Sequence, residues 1–308
     1  MKNTKTNPGE EYARTQGYLA AKKAMTKQAA LVLVSASAAL TVFFLLRIIV
    51  ASATAKKDVL FASFYYFCGD NMVPFIKLTA GLLVFVFMFL ATCALIGVFI
   101  GAKNDDRDKI HNSLALLRGT LGYALTVTFI FILIGLCSVS VMYQASRIPH
   151  LRAYATVGGF TYGALFFNTV VLGTVIVTTL ISLIRYVSSL LKATDGISLN
   201  TNGTIFTIIV SFICTAVFFI CFFISLGNLV MPIDVGDTIQ FSYVGAAAAD
   251  VLITAAITTI AACTAIVTIS YHSSVSNIAK VIAANYYRAT AGYSSSRTVE
   301  TTAEPADK

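Results

Sequence analysis

The sequence has little of what a water-soluble domain needs. It contains no tryptophan, only 5 prolines among 308 residues, and 12% charged residues. Soluble globular domains usually carry about 25% charged residues, so this chain has about half the usual charge. The scarcity of charge excludes an ordinary soluble fold for most of the chain, and the scarcity of proline leaves long stretches in which nothing interrupts a helix.

Acidic residues are nearly absent from six long apolar runs, and Asp250 is the one exception. About 20 apolar residues cross the hydrocarbon of a bilayer as a helix, at roughly 1.5 Å of rise each. Lipid offers no partner to a backbone N–H or C=O, so a spanning run must be helical. The pattern predicts an all-α integral membrane protein with a bundle of six transmembrane helices, at 29–53, 73–102, 113–143, 157–184, 203–232 and 243–271.

Sequence motifs of known chemistry are also missing. The chain has no phosphate-binding loop, no dinucleotide fingerprint, no G-x-S-x-G and no H-E-x-x-H. Its 6 cysteines form no C-x-x-C pair, and only Cys68 lies outside the apolar runs. We therefore predict no catalytic residue, no cofactor and no resident metal, and do not expect an enzyme.

The net charge of +8 comes mainly from lysines and arginines in the N-terminal segment, the second and fourth connections and the C-terminal segment. This bias places both termini in the cytoplasm. The basic excess thus predicts topology and attraction to anionic lipid at the cytoplasmic face, and no nucleic-acid partner. We expect the protein to lie in the plasma membrane or an inner membrane.

The chain divides into three predicted segments: 1–28, 29–271 and 272–308. Residues 9–27 of the first can form an amphipathic helix, which either lies on the inner membrane surface or docks a cytoplasmic partner. The second is the six-helix transmembrane domain. The third is a cytoplasmic tail, which we predict to be partly disordered because it is polar from Ser294 onward.

Asp250 is the candidate functional residue of the membrane domain. It lies about seven residues inside the sixth run, roughly 10 Å deep, and its short side chain cannot reach water. A carboxyl group at that depth is expected to be protonated, paired or exposed to a wet cavity. Arg47 and Lys77 are the candidate partners, because the predicted topology places them in the same leaflet.

Small and polar residues follow Asp250 at helical spacing, beginning with Thr254 and Thr258. This stripe predicts that the sixth helix lies at the centre of the bundle. Asn168 in the fourth run is a further polar candidate. Two interpretations are open: a pathway lining with Asp250 as an ion, proton or substrate site, or a structural ion pair with close packing.

The second connection reads Lys103-Asn-Asp-Asp-Arg-Asp-Lys109 and offers the alternative of a Mg²⁺ site. Asp105 and Asp108 have an N-D-x-x-D spacing that clusters carboxylates for Mg²⁺ and a diphosphate. Membrane prenyltransferases carry a similar motif after their second helix. This chain has six runs where that family has nine helices, and it lacks a second acidic motif on the same side. A turn whose charges neutralise one another is the competing interpretation.

The sequence thus favours a multi-pass membrane subunit of a translocation pathway, channel-like or transporter-like, or of a larger membrane complex. Partners, or further copies of the chain, would bind through helices and tails. The alternatives are a membrane-embedded Mg²⁺-dependent enzyme that uses Asp105 and Asp108, and a purely structural assembly factor.

The predicted topology can be tested with single cysteines. We expect an impermeant thiol reagent added outside cells to label a cysteine at position 60 or 150. The same reagent is expected to leave position 290 unlabelled, because that position is predicted to be cytoplasmic. The reverse pattern would invert the topology.

Overall fold

A computed structural model describes residues 8–53, 62–149, 156–157, 160–195, 203–230 and 241–300. The described residues form seven helices and a short antiparallel hairpin in which Val157 pairs with Phe160. The helices are α1 Pro8–Met25, α2 Gln28–Ala53, α3 Ala62–Asn104, α4 Arg107–Arg147, α5 Tyr162–Thr194, α6 Thr204–Val230 and α7 Phe241–Glu300, and the strands are β1 Thr156–Val157 and β2 Phe160–Thr161.

Six of these helices, α2 to α7, are long and apolar enough to cross a membrane. They correspond one to one to the six predicted runs, so the prediction of an all-helical chain with six helices long and apolar enough to span a membrane is confirmed. The predicted helix over 9–27 is also present, as α1.

Four helices, α3, α4, α5 and α7, are longer than their apolar runs, and α3 and α7 exceed them most. α3 begins at Ala62 instead of near 73, and α7 continues to Glu300 instead of ending near 271. The residues Ser294–Glu300, which were predicted to be disordered, are therefore helical in the structure. Once the apolar part has nucleated a helix, each further residue adds a hydrogen bond without a new nucleation cost. Hydropathy reports only the apolar part, and so it underestimates both lengths.

The six spanning helices form a closed ring. Each of them packs on the next along the chain from α2 to α7, and α7 packs in turn on α2. α7 is thus a member of the ring between α6 and α2, not a central helix enclosed by the others. The expectation of a central sixth helix was wrong because small residues along one face also suit a helix that has two ring neighbours.

Glycines set the close approach of neighbouring helices. A Cβ placed on Gly97 would clash with Ser113 of α4, and one on Gly101 would lie 3.0 Å from Ile110. These are the two glycines of a G-x-x-x-G spacing in α3, a pattern that lets membrane helices pack closely. Between α4 and α5, a Cβ on Gly135 would lie 2.8 Å from the methyl group of Thr169.

α1 lies across one end of the ring, where it packs against the alternate members α3, α5 and α7. Its buried face consists of Ala20, Ala21, Ala24 and Met25. The main cluster of buried apolar residues surrounds this face. We call this region the α1 end: it comprises α1, the α3–α4 corner at 105–106, residues 194–195 at the end of α5 and the start of α6 at 203–204. The apolar face of the N-terminal helix therefore has its partner within the same chain.

The outer surface of the ring is apolar, as expected of a surface in contact with lipid. α6 shows this best, because Phe212, Phe219 and Phe223 are all exposed on it. A soluble protein seldom exposes a continuous patch of this kind, whereas acyl chains make it favourable.

The glycine contacts give a matched pair of substitutions. We expect Gly135→Ala to lower the free energy of unfolding by about 1–3 kcal/mol, because the β-branched Thr169 cannot move aside. Gly122→Ala is the control, because nothing lies within 4 Å of an added Cβ there. It is expected to raise stability by up to about 1 kcal/mol through helix propensity. Thermal unfolding in detergent measures both, and equal shifts would contradict the ring packing.

Candidate functional site

The polar stripe predicted from Asp250 onward lies on one face of α7. Leu252 and Ile266 are exposed on the opposite face, at helical positions about half a turn away from Asp250 and Thr268. The stripe therefore lies on the side of α7 away from these two exposed residues. Asp250 is half-buried and is not an isolated charge.

The other candidates of the membrane domain lie at different distances from α7 in the ring. Arg47 belongs to α2, which packs directly on α7, whereas Lys77 belongs to α3 and Asn168 to α5. The side chains of these three residues lie outside the described part of the structure. Of the two candidate bases, Arg47 is thus the one whose helix adjoins Asp250.

The threonines of the stripe donate their hydroxyl protons within their own helix. Thr254 donates to the carbonyl oxygen of Asp250 at 2.8 Å, and Thr258 donates to that of Thr254 at 2.7 Å. Thr264 and Thr268 make the same bond to the carbonyl four residues earlier, each at 2.7 Å. Such bonds satisfy a hydroxyl donor that has no water available.

Burial along the stripe increases towards the α1 end. Asp250, Thr254 and Thr258 are half-buried, whereas Thr264 is 8% exposed and Thr268 is fully buried. The stripe is therefore more open at the Asp250 end and closed where α1 packs on the ring.

Two buried tyrosines lie at the closed end of the stripe. Tyr271 follows Thr268 by one helical turn, and its ring meets the edge of Tyr186 from α5 with 6.1 Å between centroids. Tyr271 is fully buried and Tyr186 is 6% exposed. The Tyr271 hydroxyl has no hydrogen-bond partner among the described residues, whereas the Tyr186 hydroxyl lies beside that of Thr268. Buried hydroxyls usually have a partner, so the Tyr271 hydroxyl is a candidate binding feature. Neither tyrosine was predicted as a site residue, because no sequence pattern marks a buried hydroxyl that lacks a partner.

An ion pair with a second hydrogen bond holds α1 to the α3–α4 corner. One oxygen of the Asp105 carboxylate accepts a hydrogen bond from the Tyr18 hydroxyl at 2.7 Å and lies 2.7 Å from Lys22 Nζ. The guanidinium of Arg107 lies 5.9 Å above the Tyr18 ring. The hydrogen bond from Lys22, followed by that from Tyr18, holds the pKa of Asp105 below its ordinary value.

The acidic residues of this corner have structural roles. Asp105 adopts a left-handed conformation with φ of 60°, and the N–H of Asp106 donates to Gly101 O at 2.9 Å, which closes the C-terminus of α3. The Asp106 carboxylate accepts the N–H of Lys109 at 3.0 Å and so caps α4. Asp108 is exposed in the first turn of α4. Among the described residues no group of three or more His, Cys, Asp or Glu could hold a metal.

Further polar contacts fasten the helices at the α1 end. Arg107 Nε donates to the carbonyl of Thr194 at 2.7 Å, and His111 Nδ1 lies 2.7 Å from an oxygen of Asp195. Sequence reasoning missed the second pair, because its members are 84 positions apart. These two contacts join α4 to the end of α5.

The described residues thus contain six helices that are long and apolar enough to span a membrane, as in multi-pass membrane proteins, and an N-terminal helix packed across one end of them. Comparison with protein-family models, with curated proteins and with solved structures finds no match to this chain. Function must therefore be inferred from the residues themselves.

The contact between α1 and the corner makes a prediction about pH. Burial first, and the hydrogen bond to Asp105 second, raise the pKa of Tyr18 from 10 to about 12. Between these two values the docked hydroxyl keeps a proton that an exposed tyrosine loses, so docking of α1 weakens as the pH rises through this window. The titration of Tyr18 is measured as the difference in tyrosinate absorbance between the wild type and Tyr18→Phe, and we expect its midpoint near pH 12. In Asp105→Asn the midpoint of Tyr18 is expected to move part of the way towards 10. A wild-type midpoint near 10 would contradict the contact.

Proposed function

We propose that this chain is a multi-pass membrane subunit that forms part of a translocation pathway, either channel-like or transporter-like. The observation that carries the proposal is the polar face of α7. It bears an acid and a line of hydroxyls, and it lies opposite the exposed face of a helix that closes a ring of six.

An ionisable residue in a membrane span indicates a functional role. A charged side chain in the hydrocarbon costs several kcal/mol, and such residues usually mark ion or substrate paths. Asp250 is the only acidic residue in any of the apolar runs, and its face points into the protein. Binding of an ion by Asp250 accounts both for the presence of an acid in a span and for its position on a face that points into the protein.

The length of the stripe also fits a path across a bilayer. From Asp250, predicted to be roughly 10 Å deep, to Tyr271 a helix rises about 32 Å, which is enough to reach the opposite face of a hydrocarbon layer roughly 30 Å thick. The stripe is half-buried at one end and fully buried under α1 at the other. This increase in burial is what we expect of a pathway that α1 closes at one end.

The surroundings of the protein follow from its composition. The chain has no nucleotide-binding motif, so the energy for transport comes from an ion gradient or from a partner. Partners, or further copies of the chain, bind through the helices and tails, and anionic lipid attracts the basic segments. We place the protein in a plasma or inner membrane with both termini in the cytoplasm.

The two alternative functions assign different roles to the acidic residues. A structural assembly factor would use Asp250 only as a packing pair. A Mg²⁺-dependent enzyme would use Asp105 and Asp108, yet the Asp105 carboxylate contacts Lys22 and Tyr18, which competes with metal binding. The translocation hypothesis therefore explains more of the structure than either alternative.

The test is the substitution Asp250→Asn in purified protein reconstituted into liposomes and screened for ion flux. The change keeps the volume and the hydrogen-bonding capacity and removes the charge. We expect flux to fall by about tenfold or more, the equivalent of one lost interaction with an ion. Stability is expected to fall by a few kcal/mol at most.

Asp108→Asn is the matched control, because it removes an exposed acid outside the spans. It is expected to leave flux unchanged. Normal flux in Asp250→Asn would remove this residue from the mechanism, and Mg²⁺-dependent turnover lost in Asp108→Asn would favour the enzyme.

A further inference from the structure

We infer that α1 is a reversible lid on the ring: it turns on the two residues that join it to α2, and the Asp105 carboxylate holds it closed. The lid follows from the contacts of α1 itself. Its effect on flux rests on the proposed function, in which α1 closes one end of a pathway.

The join between α1 and α2 consists of Thr26 and Lys27, which are both exposed. The N–H and the hydroxyl of Thr26 donate to the carbonyl of Lys22 in α1, each at 3.0 Å. The carbonyl of Lys27 accepts the N–H groups of Ala30 and Leu31 in α2. Each helix thus satisfies its own end, so a change in the angle between α1 and α2 breaks none of these hydrogen bonds.

The face of α1 that packs on the ring gains little free energy from burial. It consists of Ala20, Ala21, Ala24 and Met25. Burial stabilises in proportion to the apolar area removed from water, and an alanine side chain is a single methyl group. The face therefore fits closely but contributes less than leucines would, and α1 depends on its polar contacts to stay docked.

The polar contacts of α1 with the α3–α4 corner converge on one carboxylate. The Tyr18 hydroxyl donates to Asp105 Oδ1 at 2.7 Å, and Lys22 Nζ lies 2.7 Å from the same oxygen. The Asp105 side chain is 61% exposed, and ion pairs between exposed side chains are individually weak. Loss of this one weak contact releases two residues of α1 at once, which is what we expect of a latch.

The docked position of α1 leaves one polar atom without a partner. Tyr271 is fully buried in the cluster that includes the alanines of α1, and its hydroxyl has no hydrogen-bond partner among the described residues. Such a group costs free energy, because burial has removed its hydrogen bonds to water. Departure of α1 opens this end of the ring to water. The Tyr271 hydroxyl therefore favours the open position and opposes the latch.

Thiol labelling of Ala21→Cys measures the opening of the lid, because residue 21 is fully buried in the docked position. The purified full-length protein is treated with a water-soluble maleimide, and modification of residue 21 is followed by peptide mass spectrometry. We expect added Asp105→Asn to speed labelling about fivefold, the effect of one partly exposed ion pair. Asparagine also tolerates the left-handed backbone at this position.

Asp108→Asn is the control for the latch, because it removes an exposed acid in the first turn of α4. It is expected to leave the labelling rate unchanged. Ala20→Cys, at a position that is 5% exposed, repeats the comparison at a second place on the buried face. Equal rates in the two asparagine variants at both cysteine positions would overturn the latch.

A pair of phenylalanine variants tests the hydroxyl that opposes the latch. Tyr271→Phe removes the hydroxyl that lacks a partner, so we expect labelling of residue 21 to slow about tenfold. Tyr186→Phe is the control, because that hydroxyl lies beside the one of Thr268, and it is expected not to slow labelling. Unchanged or faster labelling in Tyr271→Phe would contradict a docked position that this hydroxyl destabilises.

Ion flux in liposomes separates the lid from the proposed function. Because α1 closes the pathway in that proposal, Asp105→Asn is expected to raise flux about as much as it speeds labelling. Faster labelling with unchanged flux would overturn the role of α1 in closing a pathway. An absence of flux in every variant would overturn the proposed function, whereas the labelling rates would still decide whether α1 is a lid.

Discussion

The absence of water from the interior of a bilayer is the constraint on which the rest of this structure depends. Backbone N–H and C=O groups must find hydrogen-bond partners within the protein, and they do so by forming helices. Hydroxyl groups also find partners within the protein, since Thr128, Thr174, Thr258 and Thr268 all donate to carbonyls of their own helices. With these donors satisfied locally, close packing brings the helices together, and glycines in α3, α4 and α5 meet side chains of neighbouring helices.

The α1 end is held together differently, because water is available there. Ion pairs, caps and a cation–π contact join helices through short polar side chains. Beneath them, alanines of α1 pack on the bundle around Tyr271. Each alanine buries little surface, so the polar contacts contribute a larger share of the docking free energy than they would for a leucine-rich helix. The docking of α1 is therefore expected to depend both on close packing of its alanines and on individual charged side chains.

The sequence predicted those parts of the structure that depend on local composition. Hydropathy located six spanning helices, and the spacing from Asp250 to Thr258 predicted a polar face before any coordinates. Properties that depend on distant residues were not predictable. Tyr18 meets Asp105 across 87 positions, and nothing in either segment indicates this contact.

The sequence also failed to predict the closure of the ring and the ends of the helices, for different reasons. The contact of α7 with α2 depends on how six similar helices pack together, and no single run carries that information. The extension of α7 depends on helix propagation, which continues through polar residues that a hydropathy scale reads as loop. The acidic corner was ambiguous because a carboxylate that caps a helix and one that binds a metal look alike in sequence.

The length of α7 gives the molecule a mechanical property. The helix has 60 residues, about 90 Å at 1.5 Å per residue, and roughly 37 Å of it extends beyond Val275. Sharp kinks usually occur at proline or glycine, and neither occurs between Asp250 and Ala291. The helix therefore behaves as one stiff shaft over this length. Asp250, the threonines and the following turns as far as Ala291 therefore belong to one uninterrupted helix, and a rotation of that helix about its axis would move the acid and the hydroxyls together.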